Sequence, residues 1–305
     1  MIIFGVICSM NKLKHDEING LHERIGINHH AQILAWQHMP SWRRLEIAFQ
    51  AYQFTLDMVR FTEQKRHPHM YAWKLQWRII RRMQGNQQLG KDMTGFQNLS
   101  CLNKEQSMTS MHDLSAFFQK VVNTLEALQI PYMISGGFAA VFYGEPRLTI
   151  DIDIVVDIHV QHIKPLVASF PLPRYYTSEE SMRDSIRRNY PFNIIDTSTG
   201  VKADMIPLPK NDIFSRIAFN RRQTEVYNPH GDTADFISME DIVLAKLYAH
   251  QKTGSDKHLR DAKGVLATRW HEIDMDMLRK IAGRTDVMDM FEQIYDMARR
   301  EIEGE

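Results

Sequence analysis

Eight residues, Thr149-Ile-Asp-Ile-Asp-Ile-Val-Val156, constrain this chain more than any other stretch. They are rich in β-branched side chains, and residues two apart on a strand share a face. Asp151 and Asp153 therefore project together, while Ile150, Ile152 and Ile154 point to the other side. Such a strand belongs in a sheet that buries its isoleucines and leaves two carboxylates side by side. Like charges at that spacing raise each other's pKa unless a cation lies between them. Oxygen-only donors suit Mg²⁺ or Mn²⁺. Two such ions about 4 Å apart are the usual clamp for an in-line displacement at phosphorus.

A third carboxylate on an adjacent strand would complete the set. Asp204, in the apolar run Val201 to Pro207, fills that place, with Asp196 on the preceding run, Phe192 to Asp196, as its competitor. Asp157 shares the face of Asp151 but falls at the strand end, where a surface position accounts for it. Ahead of the pair, Gly136 and Gly137 follow the buried run Tyr132 to Ser135. A glycine turn there lets backbone N–H groups approach a phosphate near a helix N-terminus. Arg147 adds a donor fork and Thr149 a hydroxyl.

Around this centre the chain reads helical, then mixed, then helical. Leu45, Ala48, Phe49, Tyr52, Leu56 and Val59 recur at helical spacing over Ser41 to Arg66, with Ser41 as cap and Pro68 as stop. A second helix, Tyr71 to Met83, carries Arg78, Arg81 and Arg82 opposite Trp73, Trp77 and Ile80, and completes a basic hairpin over about 41–84. Residues 84 to 110, rich in Gln, Gly, Asn, Ser and Thr, read as a linker. A helix from Met111 to Gln129 leads into the mixed segment. Its two apolar runs around Asp196 and Asp204 form a hairpin turned at Gly200. Short strands are expected at Arg222 to Tyr227 and Asp235 to Ser238. From Ser238, which caps with Asp241, the rest is helical. The expected domains are a helical extension over 1–100, a core over 111–237 and a helical part over 238–305.

The fold class expected is thus α+β, a mixed sheet flanked by helices. Lys+Arg and Asp+Glu balance at 37 each, so no overall field points to a nucleic acid or a membrane. The first hundred residues nonetheless hold thirteen basic against seven acidic side chains. Cys8 and Cys101 make no disulfide framework and no zinc pattern, which fits a cytoplasmic location. The apolar opening, Met1 to Ser9, lacks a basic leader and is shorter than a spanning helix of about 20 residues. Neither a Walker A motif nor a strand-borne GxGxxG occurs. The histidines, including His29, His30, His67 and His69, form no ligand pattern.

The order Ile134-Ser-Gly-Gly, then Gly144-Glu-Pro-Arg-Leu-Thr-Ile-Asp-Ile-Asp-Ile-Val-Val, resembles the nucleotidyltransferase superfamily, of polymerase-beta-like fold. The Arg-x-Thr-x-Asp-x-Asp form is similar to its AbiEii-like branch of abortive-infection and toxin–antitoxin proteins. The resemblance runs from about Met111 to about Ala298. It implies transfer of a nucleoside monophosphate from an NTP such as ATP to a hydroxyl of tRNA or protein, with an antitoxin as a further partner. A small antibiotic acceptor is the alternative within the class. It also implies that Lys246, in Glu240-Asp-Ile-Val-Leu-Ala-Lys246, meets the triphosphate and that Asp261, after Arg260, is accessory.

The segment Ser41-Trp-Arg-Arg-Leu-Glu-Ile-Ala-Phe-Gln with Arg66-His-Pro resembles small uncharacterised proteins encoded beside such transferases. That implies a fusion, with Met108 or Met111 as the start of the unfused form and an intramolecular contact as the extension's role. A misplaced start leaves the same trace. Arg60 and His67 have the Arg-x6-His spacing of HEPN-type ribonucleases, which chance explains in so basic a segment. A reading from another class is a regulatory module that keeps the fold and binds nucleotide without turnover.

Overall fold

The computed structural model describes residues 24–26, 28–83 and 113–304. The expected linker at 84–110, the opening Met1 to Ser9, both cysteines, Met108 and Met111 lie outside the described residues. In chain order the elements are α1 (His30–Gln37), α2 (Ser41–Arg66), α3 (Ala72–Met83), α4 (Asp113–Ala127), β1 (Tyr132–Ser135) and α5 (Gly136–Tyr143). Then come β2 (Asp151–Val156), α6 (Ile163–Ser169), β3 (Tyr175–Tyr176), α7 (Glu179–Arg188), β4 (Phe192–Asp196), β5 (Lys202–Pro207) and α8 (Ile213–Asn220). The last are β6 (Gln223–Val226), β7 (Thr233–Phe236), α9 (Met239–Thr253), α10 (Asp256–Thr268), α11 (Met275–Ala282) and α12 (Met288–Glu303). No helix among the described residues is long and apolar enough to cross a membrane.

The fold is α+β. The chain divides into two compact units, one of Leu45–Phe138 with Pro146–Ile237, the other of Met1–Arg44, Ala139–Glu145 and Ser238–Glu305. The first holds a seven-stranded mixed sheet in the order β3-β4-β5-β2-β1-β7-β6. Strand β2 lies antiparallel to β1 and parallel to β5; β4 and β5 are antiparallel. Along β2 burial alternates as the side-chain period requires, with Ile152, Ile154 and Val156 closed off and Asp151 and Asp153 partly open. Helix α4 contributes the buried Phe117, Phe118, Val121 and Val122, and the Phe118 ring lies 4.7 Å from Phe138 and edge-on to Tyr227.

Helices α2 and α3 close onto the β4–β5 turn within this unit. Arg60 donates to the Ser198 carbonyl at 2.9 Å, and Gln76 donates to the Thr197 and Ser198 carbonyls at 3.1 and 2.8 Å. Gly200, at φ +79°, sits so close to α3 that a Cβ there would lie 2.9 Å from Ile80 Cγ1. Between the two helices Glu63 is buried and accepts from Arg78 at 2.8 Å and Arg82 at 2.7 Å. Arg60 and His67 thus serve packing: Arg60 holds the turn, and His67 lies 3.8 Å from Glu63.

In the second unit α9 to α12 pack with α1. Arg44 is fully buried there and donates to the carbonyls of Phe142, Trp36 and Met39. Burial, with Arg269 adding repulsion, brings its pKa down to about 9. Lys263 pairs with Glu301 and donates to the Gly26 carbonyl at 3.0 Å. Asp261 and Lys246 pair at 2.7 Å.

Several local expectations are corrected. The glycine pair does not form a separate turn: Gly136 opens helix α5. Ser41, expected as a cap, is already helical, and its hydroxyl accepts from Arg44 and Arg269. Helix α7, a polar segment that buries only Met182 and Ser185, was not expected. Helix α8, a short one capped by Asp212, was not expected either.

Candidate active site

The register of three strands sets the site. Asp151 stands opposite Lys202, and Asp153 stands opposite Asp204, on the parallel β2–β5 pair. Residues 151 and 153, and 202 and 204, each share a face, so the four side chains occupy two neighbouring rungs of one sheet face. On the other side of β5, Asn193 pairs with Asp204. With its amide nitrogen toward Asp204 it donates to Oδ1 at 2.6 Å and to the Phe192 carbonyl at 3.3 Å.

Lys202 is 9 % exposed, and its Nζ lies 2.8 Å from Asp204 Oδ2 and 3.5 Å from Asp151 Oδ1. Burial opposes its charge, yet the two carboxylates outweigh burial and hold its pKa above the ordinary lysine value. Burial also pushes Asp204 from 3.8 up to about 6, against the pull of Lys202 and with help from Asp151 and Asp153. Asp151 Oδ1 is buried and accepts no hydrogen bond. Its cationic neighbour is the Lys202 ammonium at 3.5 Å, too long for a good hydrogen bond.

Asp153 is aimed by the glycine pair. Gly137 N–H, at the start of α5, donates to Asp153 Oδ2 at 3.2 Å. This satisfies one of the amides that a helix N-terminus leaves unpaired. Gly136 has φ +61°, and a Cβ there would fall 1.8 Å from Asp153 Oδ2, so only glycine fits. A Cβ on Gly137 would meet Thr149 Oγ1 at 3.1 Å and Arg147 Nη2 at 3.5 Å. The structure therefore brings Gly136, Gly137, Arg147, Thr149, Asp151, Asp153 and Asp204 to one place.

Asp196 is elsewhere occupied. It is buried at the β4–β5 turn, where it accepts from Ser198 N–H at 2.8 Å and faces Arg174 at 3.4 Å. Asp157 lies on the surface, 3.9 Å from His159. Lys246 and Asp261 belong to the helical unit and answer each other's charge there. Two residues went unnoticed in the sequence, Lys202 and Asn193. The first was detectable: Lys202 precedes Asp204 by two, the same spacing that singled out Asp151 and Asp153.

The donor set suits a hard divalent ion. It offers oxygens only, three carboxylates answered by one ammonium, with Asp151 Oδ1 ion-paired at 3.5 Å but not hydrogen-bonded. As the side chains stand, no three His, Cys, Asp or Glu groups among the described residues converge tightly enough to hold one. Lys202 stands between two of the carboxylates, 2.8 Å from Asp204 and 3.5 Å from Asp151.

No family model matches the chain, and no curated protein matches it. Among solved structures, it is similar to the antibiotic-resistance factor ANT(2'')-Ia, at 15 % identity over 59 % of this chain and 97 % of that one, with a TM-score of 0.39. It is also similar to a protein from H. pylori described as a candidate nucleotidyltransferase, at 10 % identity over 66 % of this chain and 96 % of that one, with a TM-score of 0.30.

Proposed function

We propose that the chain is a nucleotidyltransferase that moves a nucleoside monophosphate from an NTP to an acceptor hydroxyl and releases pyrophosphate. The observation that carries this reading is the Asp151, Asp153 and Asp204 set on adjacent strands, with Gly136 held at positive φ against Asp153. Bound Mg²⁺ or Mn²⁺ would supply charge neutralisation at the triphosphate and acidify the attacking hydroxyl. The three aspartates would hold it. Arg147 and Thr149, which flank Gly137, and the glycine backbone are assigned to the phosphates. In the reaction the acceptor oxygen bonds to the α-phosphorus, the bond from that phosphorus to the oxygen bridging it to the β-phosphorus breaks and pyrophosphate leaves, and the hydroxyl proton passes to solvent.

The resemblance to AbiEii-like proteins favours tRNA or a protein as acceptor, in a toxin–antitoxin setting. A small antibiotic is the remaining acceptor class. The direct experiment incubates the purified protein with Mg²⁺ and each α-labelled NTP, with total tRNA, lysate protein or small antibiotics offered in turn. Transfer to one of these that is lost in Asp151→Asn supports the proposal. Absence of transfer to all three, by protein that binds NTP tightly, counts against it.

A second reading has one observation of its own. Lys202, lodged between Asp204 and Asp151, already supplies a positive charge where an ion would bind. A module that binds nucleotide without turnover would have reason to keep it.

A further inference from the structure

We infer that Lys202 is the built-in counter-cation of the three-aspartate site, and that a divalent ion enters by displacing its ammonium. The inference rests on reading those aspartates as a cation site. Its own support is independent of any acceptor.

Lys202 reaches the site because β2 and β5 run parallel in a register that pairs it with Asp151 and sets Asp204 one rung along. A lysine on a surface strand normally carries its charge out to water along a flexible stem. Here the residue is 9 % exposed, and its ammonium touches Asp204 at 2.8 Å with Asp151 at 3.5 Å. Burying an ammonium is unfavourable unless carboxylates answer it. Conversely, three carboxylates on two rungs repel one another unless a cation joins them. Each problem solves the other, which explains a buried lysine beside Asp204 in a strand whose other residues are apolar.

The arrangement is incomplete in an informative way. One ammonium leaves the cluster with excess negative charge, and at 3.5 Å it pairs with Asp151 Oδ1 without hydrogen-bonding to it. A divalent ion has the charge to complete what Lys202 half satisfies, yet it needs the same oxygens. The two cations therefore compete, and Lys202 lowers the apparent affinity for metal while keeping the site closed without it.

The test uses the full chain. After treatment with chelator and desalting, the wild type, Lys202→Met and Lys202→Arg are titrated with Mn²⁺ by calorimetry. Removal of the competing charge should tighten Mn²⁺ binding by about tenfold, the effect of one ordinary charge interaction. Lys202→Arg, which keeps the charge, should stay near wild type. In parallel, wild-type lysines are reductively methylated and read by peptide mass spectrometry. Lys202 should be protected without Mn²⁺ and modified at saturating Mn²⁺. Equal or weaker Mn²⁺ affinity in folded Lys202→Met overturns the inference. So does a Lys202 that stays protected with Mn²⁺ bound, and this measurement decides alone if the methionine variant does not fold. Binding by Lys202→Met with none by wild type overturns entry of an ion by displacement and defeats the transferase reading, leaving Lys202 as a permanent counter-cation. Binding by neither overturns the inference.

Discussion

Gly136 couples backbone conformation to the position of a carboxylate. An L-residue at φ +61° costs about 1–2 kcal/mol, and a Cβ there would also collide with Asp153 Oδ2. Gly136→Ala should therefore lose at least that much in urea unfolding and weaken Mn²⁺ binding; a variant that unfolds like wild type would contradict the placement of Asp153. Asp204 gives a pH signature of a definite sign. Its folded pKa, about 6, lies above the ordinary 3.8, so between those values the folded protein binds more protons than the unfolded chain. Its contribution to stability is full below about 4 and declines as pH rises through about 6. Urea titrations across that range should show the decline in wild type and not in Asp204→Asn. At this scale the aspartates and glycines were legible because period two and a glycine pair are written in the residue order. Lys202 shows the same two-residue spacing before Asp204, but the carboxylate it faces across the sheet follows only from the pairing of β5 with β2.

Among the elements, β2 stood out by its alternation, β1 and β4 as short buried apolar runs, and helices α2 and α3 by apolar residues at helical spacing. Helix α7 did not, since its sequence Glu-Glu-Ser-Met-Arg-Asp-Ser-Ile-Arg-Arg buries little and is stabilised by its Ser178 cap and charge pairs such as Arg183–Glu179. The α2–α3 hairpin is bound to the turn that leads into β5, the strand of Lys202 and Asp204. Ile80→Ala removes a fully buried side chain from that contact and should cost about 2–5 kcal/mol in unfolding free energy. A loss near zero would mean the hairpin is not packed there. Glu63 adds an acid-range signature. Its hydrogen bonds from Arg78, with those from Arg82, hold its pKa below 4.5. The stability it contributes is full above that value and is lost as pH falls through the lowered one. Glu63→Gln should flatten this acid limb, and an unchanged limb would remove the assignment.

On the scale of the whole molecule, both units draw on the first hundred residues. Leu45 to Met83 contributes buried Leu45, Tyr52, Leu56, Ile79 and Ile80 to the sheet unit, and Ile33, Trp36 and Arg44 are buried in the helical one. A chain of residues 108–305 would expose what these cover, so it should lose the cooperative thermal transition of the full chain. A transition at the same temperature would mark the extension as dispensable. The central claim is chemical, and stoichiometry tests it most directly. With Mg²⁺, an α-labelled NTP and the acceptor that takes label, wild-type protein should release one pyrophosphate per nucleoside monophosphate joined to the acceptor, and Asp153→Asn should release none. Pyrophosphate formed without labelled acceptor, or equal release by Asp153→Asn, would contradict it.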